Sequence, residues 1–329
     1  MIATSDGADT TWSDLGEADQ IAILNRVADG ESVDRVATEY RIKSSSLSRK
    51  MRGMRSVPKE TTSGRNVMAL DAYAEKSVFV YSDTHFPVAD PRALACAKKI
   101  KDMFDPDVII NLGDTLDMYH FSRFSKENGR YNTLQTEIDS WLKWARWFYH
   151  GFTGESIMLA GNHDKRLGKM AASVPGLSGV HAMSLEGILS SAEFGCQKIV
   201  DLVVVNQRGD DVYPDGDMYF YHGSSARRGS GASARAFSDK LSGSSVMVGH
   251  SHRTAVVASR SMRGPIKSYE VGCLSSLDVD WDLYPDWSQS VMIGVVSPDF
   301  CDFAPVVIDR GKFMYNGVIY ECEPWSIDE

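Results

Sequence analysis

No apolar run in this chain approaches the ~20 residues that a helix needs to cross a bilayer. The first residues are acidic and polar and carry no basic, apolar leader core. Membrane insertion is therefore not expected. Cysteine is scarce: Cys96, Cys196, Cys273, Cys301 and Cys322 are five, odd in number and far apart, which is not the pattern of a disulfide framework. A reduced, cytoplasmic setting is the expectation. Positive charge is in deficit, with a net of −9 at pH 7, so the surface as a whole is unsuited to indiscriminate nucleic-acid binding. One stretch lacks the opposite sign. Between Arg41 and Lys59 stand Lys43, Arg49, Lys50, Arg52 and Arg55 with no acidic residue, a local excess large enough to matter electrostatically.

A chain of 329 residues has room for a catalytic core and one small accessory domain. Near its start, Leu15, Ala18, Ile21, Leu24 and Val27 recur at three-residue steps, which predicts an amphipathic helix over about 15–28. A second helix fits 32–40, with Ser32 as N-cap and Val33, Val36 and Ala37 facing inward. After a turn at Arg41, Ile42 and Lys43, Ser44 opens a third helix to about Met54. The segment 32–51 resembles a helix-turn-helix in which Ala37, Ile42 and Leu47 lock the helices together. That resemblance implies DNA binding, with Ser45, Ser46, Arg49 and Lys50 on the recognition face. Arg41 stands where such motifs often carry glycine. A basic helical cap or a protein-interaction domain is the alternative. A lone module binds DNA weakly, so real affinity would call for dimerisation; the oligomeric state is left open.

Residues 58–76 are polar, with Thr, Ser and Gly, and are expected to be a linker. Strand and helix patterns then alternate through a domain spanning 77–329. Val78 to Tyr81 is strand-like, 91–104 helical, and Val108 to Ile110 strand-like again. Leu134, Ile138, Trp141, Leu142, Ala145 and Phe148 describe the apolar face of a helix. From Val200 onward short strand candidates follow one another, which suggests a second sheet. The expected fold class is α/β, a two-sheet β-sandwich core flanked by helices, with a small all-α domain over 1–57.

Five polar motifs punctuate this pattern: Asp83-Thr84-His85, Gly113-Asp114, Gly161-Asn162-His163-Asp164, His222-Gly223 and Gly249-His250-Ser251-His252. Each follows a strand-like run, so each falls at a carboxyl strand end, where layered α/β sheets bind ligands. Their mixture of carboxylate, amide and imidazole, without cysteine, suits divalent transition metals such as Mn, Fe, Zn or Ni. His150 precedes Gly161 and ends a helix, so its place in the order excludes it; His120 reads as a solvated loop residue near the site.

The order DxH, GD, GNH(D/E), lone His, GHxH resembles the calcineurin-like metallophosphoesterase superfamily, over roughly Val78 to Leu274. The resemblance implies a phosphoester hydrolase with two divalent ions, manganese first among the candidates. Two metals about 3.5–4 Å apart lower the pKa of water and clamp phosphate oxygens. By motif, one metal takes Asp83, His85, Asp114 and His252; the other takes Asp114, Asn162, His222 and His250, with Asp114 shared. His163 is then the proton donor to the leaving group, Asp164 orients its ring, and Asp117 holds a ligand histidine from behind. Lys165, Arg166, Arg227 and Arg228, with Arg235, are candidates to grip substrate phosphates. Protein phosphatases of this superfamily continue the second motif with Asp-Arg-Gly and end the third with Glu. Met118 and Asp164 depart from that pattern, which leans toward a phosphodiesterase or nuclease acting on nucleic acid or nucleotides. The alternatives are a phosphomonoesterase with the helical head as adaptor, and a non-enzymatic DNA-binding regulator.

Overall fold

The computed structural model describes residues 15, 19, 23, 26, 31–44, 47, 59–60, 66–70, 75–122, 133–174, 176–177, 180, 184–189, 198–205, 218–241, 243–261, 264–278, 285–297 and 300–326. The chain divides into two compact units, Met1–Val57 and Pro58–Glu329. In the first, helix α1 (Val33–Glu39) begins after Ser32, whose backbone is extended but whose side chain makes no cap bond. Residues 19, 23, 26, 44 and 47 are also helical. Ile23, Val36, Ala37, Ile42 and Leu47 form a small buried core. Ile23 lies off the stripe expected from the three-residue steps. Arg41 takes up the left-handed conformation, with φ 54. Ser45, Ser46, Arg49 and Lys50 lie outside the described residues.

The second unit runs β1 (Lys59–Glu60), β2 (Asn66–Leu70), β3 (Lys76–Tyr81), α2 (Pro91–Phe104), β4 (Val108–Asn111), a 3-10 turn (Tyr119–Phe121), α3 (Leu134–Tyr149), β5 (Glu155–Leu159), α4 (Lys165–Ser173), α5 (Leu185–Leu189), β6 (Lys198–Val200), β7 (Leu202–Val205) and β8 (Met218–Tyr221). It continues with α6 (Ala232–Lys240), β9 (Ser245–Val248), β10 (Ala255–Ser261), β11 (Gly264–Glu270), β12 (Gln289–Val296), β13 (Cys301–Asp309), β14 (Lys312–Tyr315) and β15 (Val318–Glu321). Two sheets result, one of order β1-β2-β7-β8-β9-β11-β10 and one of order β15-β14-β13-β12-β3-β4-β5-β6.

The strand sequences show why the sheets face each other. Successive side chains point to opposite faces. In β3, Val78 and Val80 enter the core between the sheets, while Phe79 and Tyr81 turn to the helices. In β8, Met218 and Phe220 face the same inter-sheet core while Tyr219 packs with Ala234 of α6. Strands buried on both faces read as unbroken apolar runs rather than alternating ones. The helices α2 and α3 cover the outer face of β3, β4 and β5 with Leu94, Ile100, Trp141, Trp144 and Phe148, all buried. Asp90 caps α2 by accepting from the Arg92 and Ala93 backbone N–H groups, and Pro91 occupies the first turn where its missing donor costs nothing. Among the described residues, no helix is long and apolar enough to cross a membrane.

Two expectations need correction. The stretch taken as a linker over 58–76 contains β2, which pairs in parallel with β7 and buries Met68 and Leu70 between the sheets. Its apolar run is short and set among polar residues, and only the distant partner strand makes it a strand. The strands after Val200 do not all build the second sheet. β12 pairs antiparallel with β3, and β13, β14 and β15 extend that same first sheet.

Candidate active site

Strands β3, β4, β5, β8 and β9 end at one edge of the sandwich, and the segments that follow them carry the polar motifs. These segments leave the strands through unusual backbone. Asp83, His85, Asp114, His250 and His252 all have φ between 48 and 66, a region that costs non-glycine residues energy and is kept where the surroundings over-determine it. The hydrogen bonds that do so run between motifs. Asp83 N–H donates to the Gly113 carbonyl, His85 N–H to the Asp114 carbonyl, His250 N–H to Asp83 Oδ2 and His163 N–H to Asp114 Oδ1.

Glycine is required at two of these crossings. A Cβ on Gly161 would lie 2.1 Å from Asp114 Oδ1, and one on Gly249 would lie 2.1 Å from Ser82 Oγ and 2.8 Å from Asp83 Oδ2. The glycines of the third and fifth motifs therefore let two backbones approach two buried carboxylates.

The side chains converge. Asp83, His85 and His252 form one group whose ligand atoms all lie within 4.8 Å of one another, and Asp114, His222 and His250 form another. His85 Nε2 lies 3.6 Å from Asp83 Oδ1, 3.8 Å from Asp114 Oδ2 and 3.2 Å from His252 Nε2. His222 Nε2 lies 3.1 Å from both Asp114 Oδ2 and the Asn162 Oδ1. Asp114 thus stands between the two groups. Asp83 Oδ1, fully buried, takes no hydrogen bond among the described residues although His252 Nε2 is 3.3 Å away. An acceptor left without a donor and ringed by imidazole nitrogens is what a cation would satisfy. The cluster is consistent with a dinuclear metal site, and its oxygen and nitrogen donors fit divalent ions.

Protonation follows from these contacts. Burial opposes charge on His85, but Asp117, Asp83 and Asp114 outweigh it and raise its pKa to about 10. Burial likewise opposes charge on His222, and Asp114 with Asp83 brings it up to about 9. Asp83 and Asp114 sit well below the usual carboxylate range, the histidines around them overcoming the desolvation that burial imposes. His250 and His252 are lowered, chiefly by burial. His222 Nδ1 faces the Leu112 carbonyl at 3.0 Å. A carbonyl only accepts, so Nδ1 carries the proton and Nε2 is the atom that can ligate.

His163 joins the cluster: its Nε2 lies 4.0 Å from Asp114 Oδ2, and His85, Asp114 and His163 form a third group with ligand atoms within 4.8 Å of one another. The His163 Nδ1 is 2.8 Å from the Asp117 carbonyl and 3.1 Å from Asp117 Oδ1. Both are acceptors, so Nδ1 holds the proton. Its Nε2 accepts from Arg166 Nη2 at 2.9 Å. The proton donation expected of His163 would therefore require Nε2 to part from Arg166. Asp164 is not the partner of this ring. The Asp164 carboxylate accepts from the backbone N–H groups of Thr115, Leu116 and Gly161, tying the second and third motifs together. Burial and the nearby Asp114 charge raise its pKa to about 6. Asp117 is the carboxylate in contact with the His163 ring, and it also lies 3.6 Å from His85 Nδ1.

Of the expected phosphate-gripping residues, Arg166 alone reaches the cluster among the described contacts, donating to the Asp117 carbonyl at 2.9 Å as well as to His163. Lys165 turns away to Asp201, 2.6 Å distant. Arg227, Arg228 and Arg235 are exposed on the segment after His222 and on α6. Met118 is buried and its N–H donates to Glu137 Oε2 at 2.7 Å, so the position after Asp117 turns into the core. His120 lies in the 3-10 turn and His150 is exposed at the end of α3. Sequence reasoning missed Trp287, whose ring packs edge-on against His252 with centroids 4.4 Å apart. It missed Arg253 too, which bonds Asp286 and the Arg227 carbonyl. Neither belongs to a motif of recognisable spacing.

Among solved structures, Vacuolar Protein Sorting 29 from Cryptosporidium parvum is similar at 12% identity and a TM-score of 0.41, covering 75% of this chain and 98% of that one. YfcE, a phosphoesterase from E. coli, is 14% identical with a TM-score of 0.32, covering 71% and 100%. A predicted phosphoesterase from Streptococcus pneumoniae is 13% identical with a TM-score of 0.32, covering 76% and 98%. Likeness at this level is no guide to substrate. A search of curated proteins gives no match. The model of the calcineurin-like phosphoesterase family, however, matches residues 76–253, the stretch that runs from the first motif to the last. This chain belongs to the calcineurin-like phosphoesterase family and is a metal-dependent hydrolase of phosphoesters.

Proposed function

We propose that the chain cleaves phosphodiesters of nucleotides or nucleic acid, with Asp83, His85, Asp114 and His252 holding one divalent ion and Asp114, Asn162, His222 and His250 the other. The placement of Asp114 between two buried groups, 3.1 Å from His222 Nε2 and 3.8 Å from His85 Nε2, carries this reading. When bound, such a pair, manganese being favoured, supplies Lewis-acid charge that acidifies water and neutralises phosphate oxygens. The chain's own groups do the rest. Leu112 and Asp117 fix the rings of His222 and His163. Arg166 is the guanidinium that a phosphoryl oxygen would meet beside His163. If Arg166 moved from His163 Nε2 to that oxygen, Nε2 would be free to take a proton from solvent and, as imidazolium, give it to the leaving-group oxygen.

The buried Met118 favours a diester, since the second motif offers no guanidinium for a terminal dianion. Arg166 favours a second reading, a phosphomonoesterase, because it restores one guanidinium at the same place. Metal-stripped protein reloaded separately with Mn, Fe, Zn or Ni and assayed on bis-p-nitrophenyl phosphate and p-nitrophenyl phosphate decides between them; a strong monoester preference overturns the first. The run of cations from Arg41 to Lys59 supports reading 1–57 as a DNA-binding head and 77–329 as the catalytic domain. Replacing Arg49 and Lys50 by Ala should weaken retention of duplex DNA and flatten its salt dependence, and unchanged retention refutes the head's role.

A further inference from the structure

A cleft opens beside the second histidine group, bordered by Tyr221, Ser224, Arg227, Ser233, Phe237 and Lys240. Its lining also includes Gly223 and Gly249, which follow His222 and precede His250. A Cβ on Gly223 would come within 2.9 Å of the His250 Cβ. Cleft and histidine group therefore adjoin through glycine, with no side chain from either position standing between them.

The lining has one chemical character. It offers hydroxyls, two exposed cations and two aromatic rings, and no carboxylate borders it among the described residues. Tyr221 and Phe237 stack with centroids 4.6 Å apart and planes 20° from parallel. Glu270 is fully buried: its Oε1 accepts from the N–H groups of Ser233 and Ala234 at the start of α6, while its Oε2 takes no hydrogen bond among the described residues. The attraction of the cleft for anions thus comes from the Arg227 and Lys240 side chains rather than from the helix terminus, which Glu270 already neutralises.

We propose that this cleft is a subsite for the nucleotide neighbouring the scissile linkage in a single strand, its phosphate held by Arg227 and Lys240 and its base placed on the Tyr221–Phe237 pair. Rings that stack bases and cations that follow the backbone are the means by which proteins hold single strands without reading sequence. A free mononucleotide spends its one phosphate at the metal-binding residues and leaves Arg227 and Lys240 without an anion. A base in a duplex is stacked and cannot reach the rings. The inference rests on the phosphodiesterase reading for the identity of the linkage that is cut.

The test uses the full chain, kept in chelator so that the probe survives, and measures binding of a labelled single-stranded oligothymidylate tetramer and of an abasic phosphate oligomer of equal length. Phe237→Leu keeps apolar volume and removes the ring. It is expected to weaken the oligothymidylate about tenfold, a typical stacking loss, and to leave the abasic oligomer within about twofold. Lys240→Gln is expected to weaken both and to lower the salt slope by about one. Any contribution from the helical unit is common to all variants. Equal loss of both probes in Phe237→Leu, or no loss, overturns the base platform; an unchanged salt slope in Lys240→Gln overturns the phosphate contact. Turnover of bis-p-nitrophenyl phosphate by metal-loaded protein is read separately. Its absence, with probe binding and variants behaving as stated, overturns the diesterase and leaves the nucleotide cleft standing.

Discussion

Replacing Gly161 by Ala adds a single methyl group, and the structure specifies what it meets. The new Cβ would lie 2.1 Å from Asp114 Oδ1 and 2.3 Å from the Asp114 backbone nitrogen. Ordinary contacts begin near 3.4 Å, so one of the two loops must retreat by more than about 1 Å. Asp114 is fully buried and cannot swing aside freely. Its Oδ1 also accepts the His163 N–H at 2.7 Å, and loss of a hydrogen bond to a charged group costs about 1.5–3 kcal/mol. The Gly161 N–H donates to Asp164 Oδ2 at 2.9 Å, so retreat of the third motif strains that bond as well. Displacing the shared carboxylate should weaken both ions together, by the 10–100-fold typical of disturbed supporting contacts or more. Manganese titration followed by electron paramagnetic resonance, with a thermal melt in chelator, measures affinity and fold separately. If the variant binds two Mn ions within twofold of the parent affinity, the close packing of Gly161 against Asp114 does not govern the site.

Four further outcomes are expected. Asp114→Ala should lose both ions whereas Asp83→Ala should keep one, read as metal stoichiometry by elemental analysis after gel filtration; equal stoichiometry in the two variants refutes a shared carboxylate. His85 and His222, raised to about 10 and about 9, are imidazolium at pH 7 without metal, so binding through Nε2 should release about two protons there and fewer as pH rises past 9 and 10. Calorimetry in buffers of different ionisation enthalpy counts them, and zero protons at pH 7 refutes the assignment. With folded values above the ordinary 6.5, the same two groups add stability to the metal-free fold that is complete at low pH and fades as pH climbs through 9 and 10. In the helical unit, Arg41→Gly should stabilise, because φ 54 strains a residue with a Cβ. The gain is about 0.5–1 kcal/mol after the entropy that glycine costs, and a lower melting temperature for that unit contradicts it.

The five motifs were legible because each is local: a strand-like run, polar residues at the strand end and, in the third and fifth motifs, a glycine where backbone must pass a carboxylate. The run Val78 to Tyr81 was legible as a strand in the same way, and the structure divides its side chains between two buried faces, Val78 and Val80 on one and Phe79 and Tyr81 on the other. Partnerships between distant residues were not legible. Asp164 and Asp117 both sit within three residues of a motif glycine or aspartate, and nothing in their spacing tells that one binds backbone N–H groups while the other contacts the His163 ring. Whether Val67 to Leu70 is strand or linker depends on β7, more than a hundred residues later. The strands from Gln289 onward could pair with either sheet, and the edge of β3 decided it. The sequence by itself determined the chemistry of the donors and the strand ends that carry them, since residue type and periodicity are properties of neighbours in the chain. Only the tertiary structure decided which donor faces which, because pairing and burial are set by contacts that close long loops and leave no periodic trace.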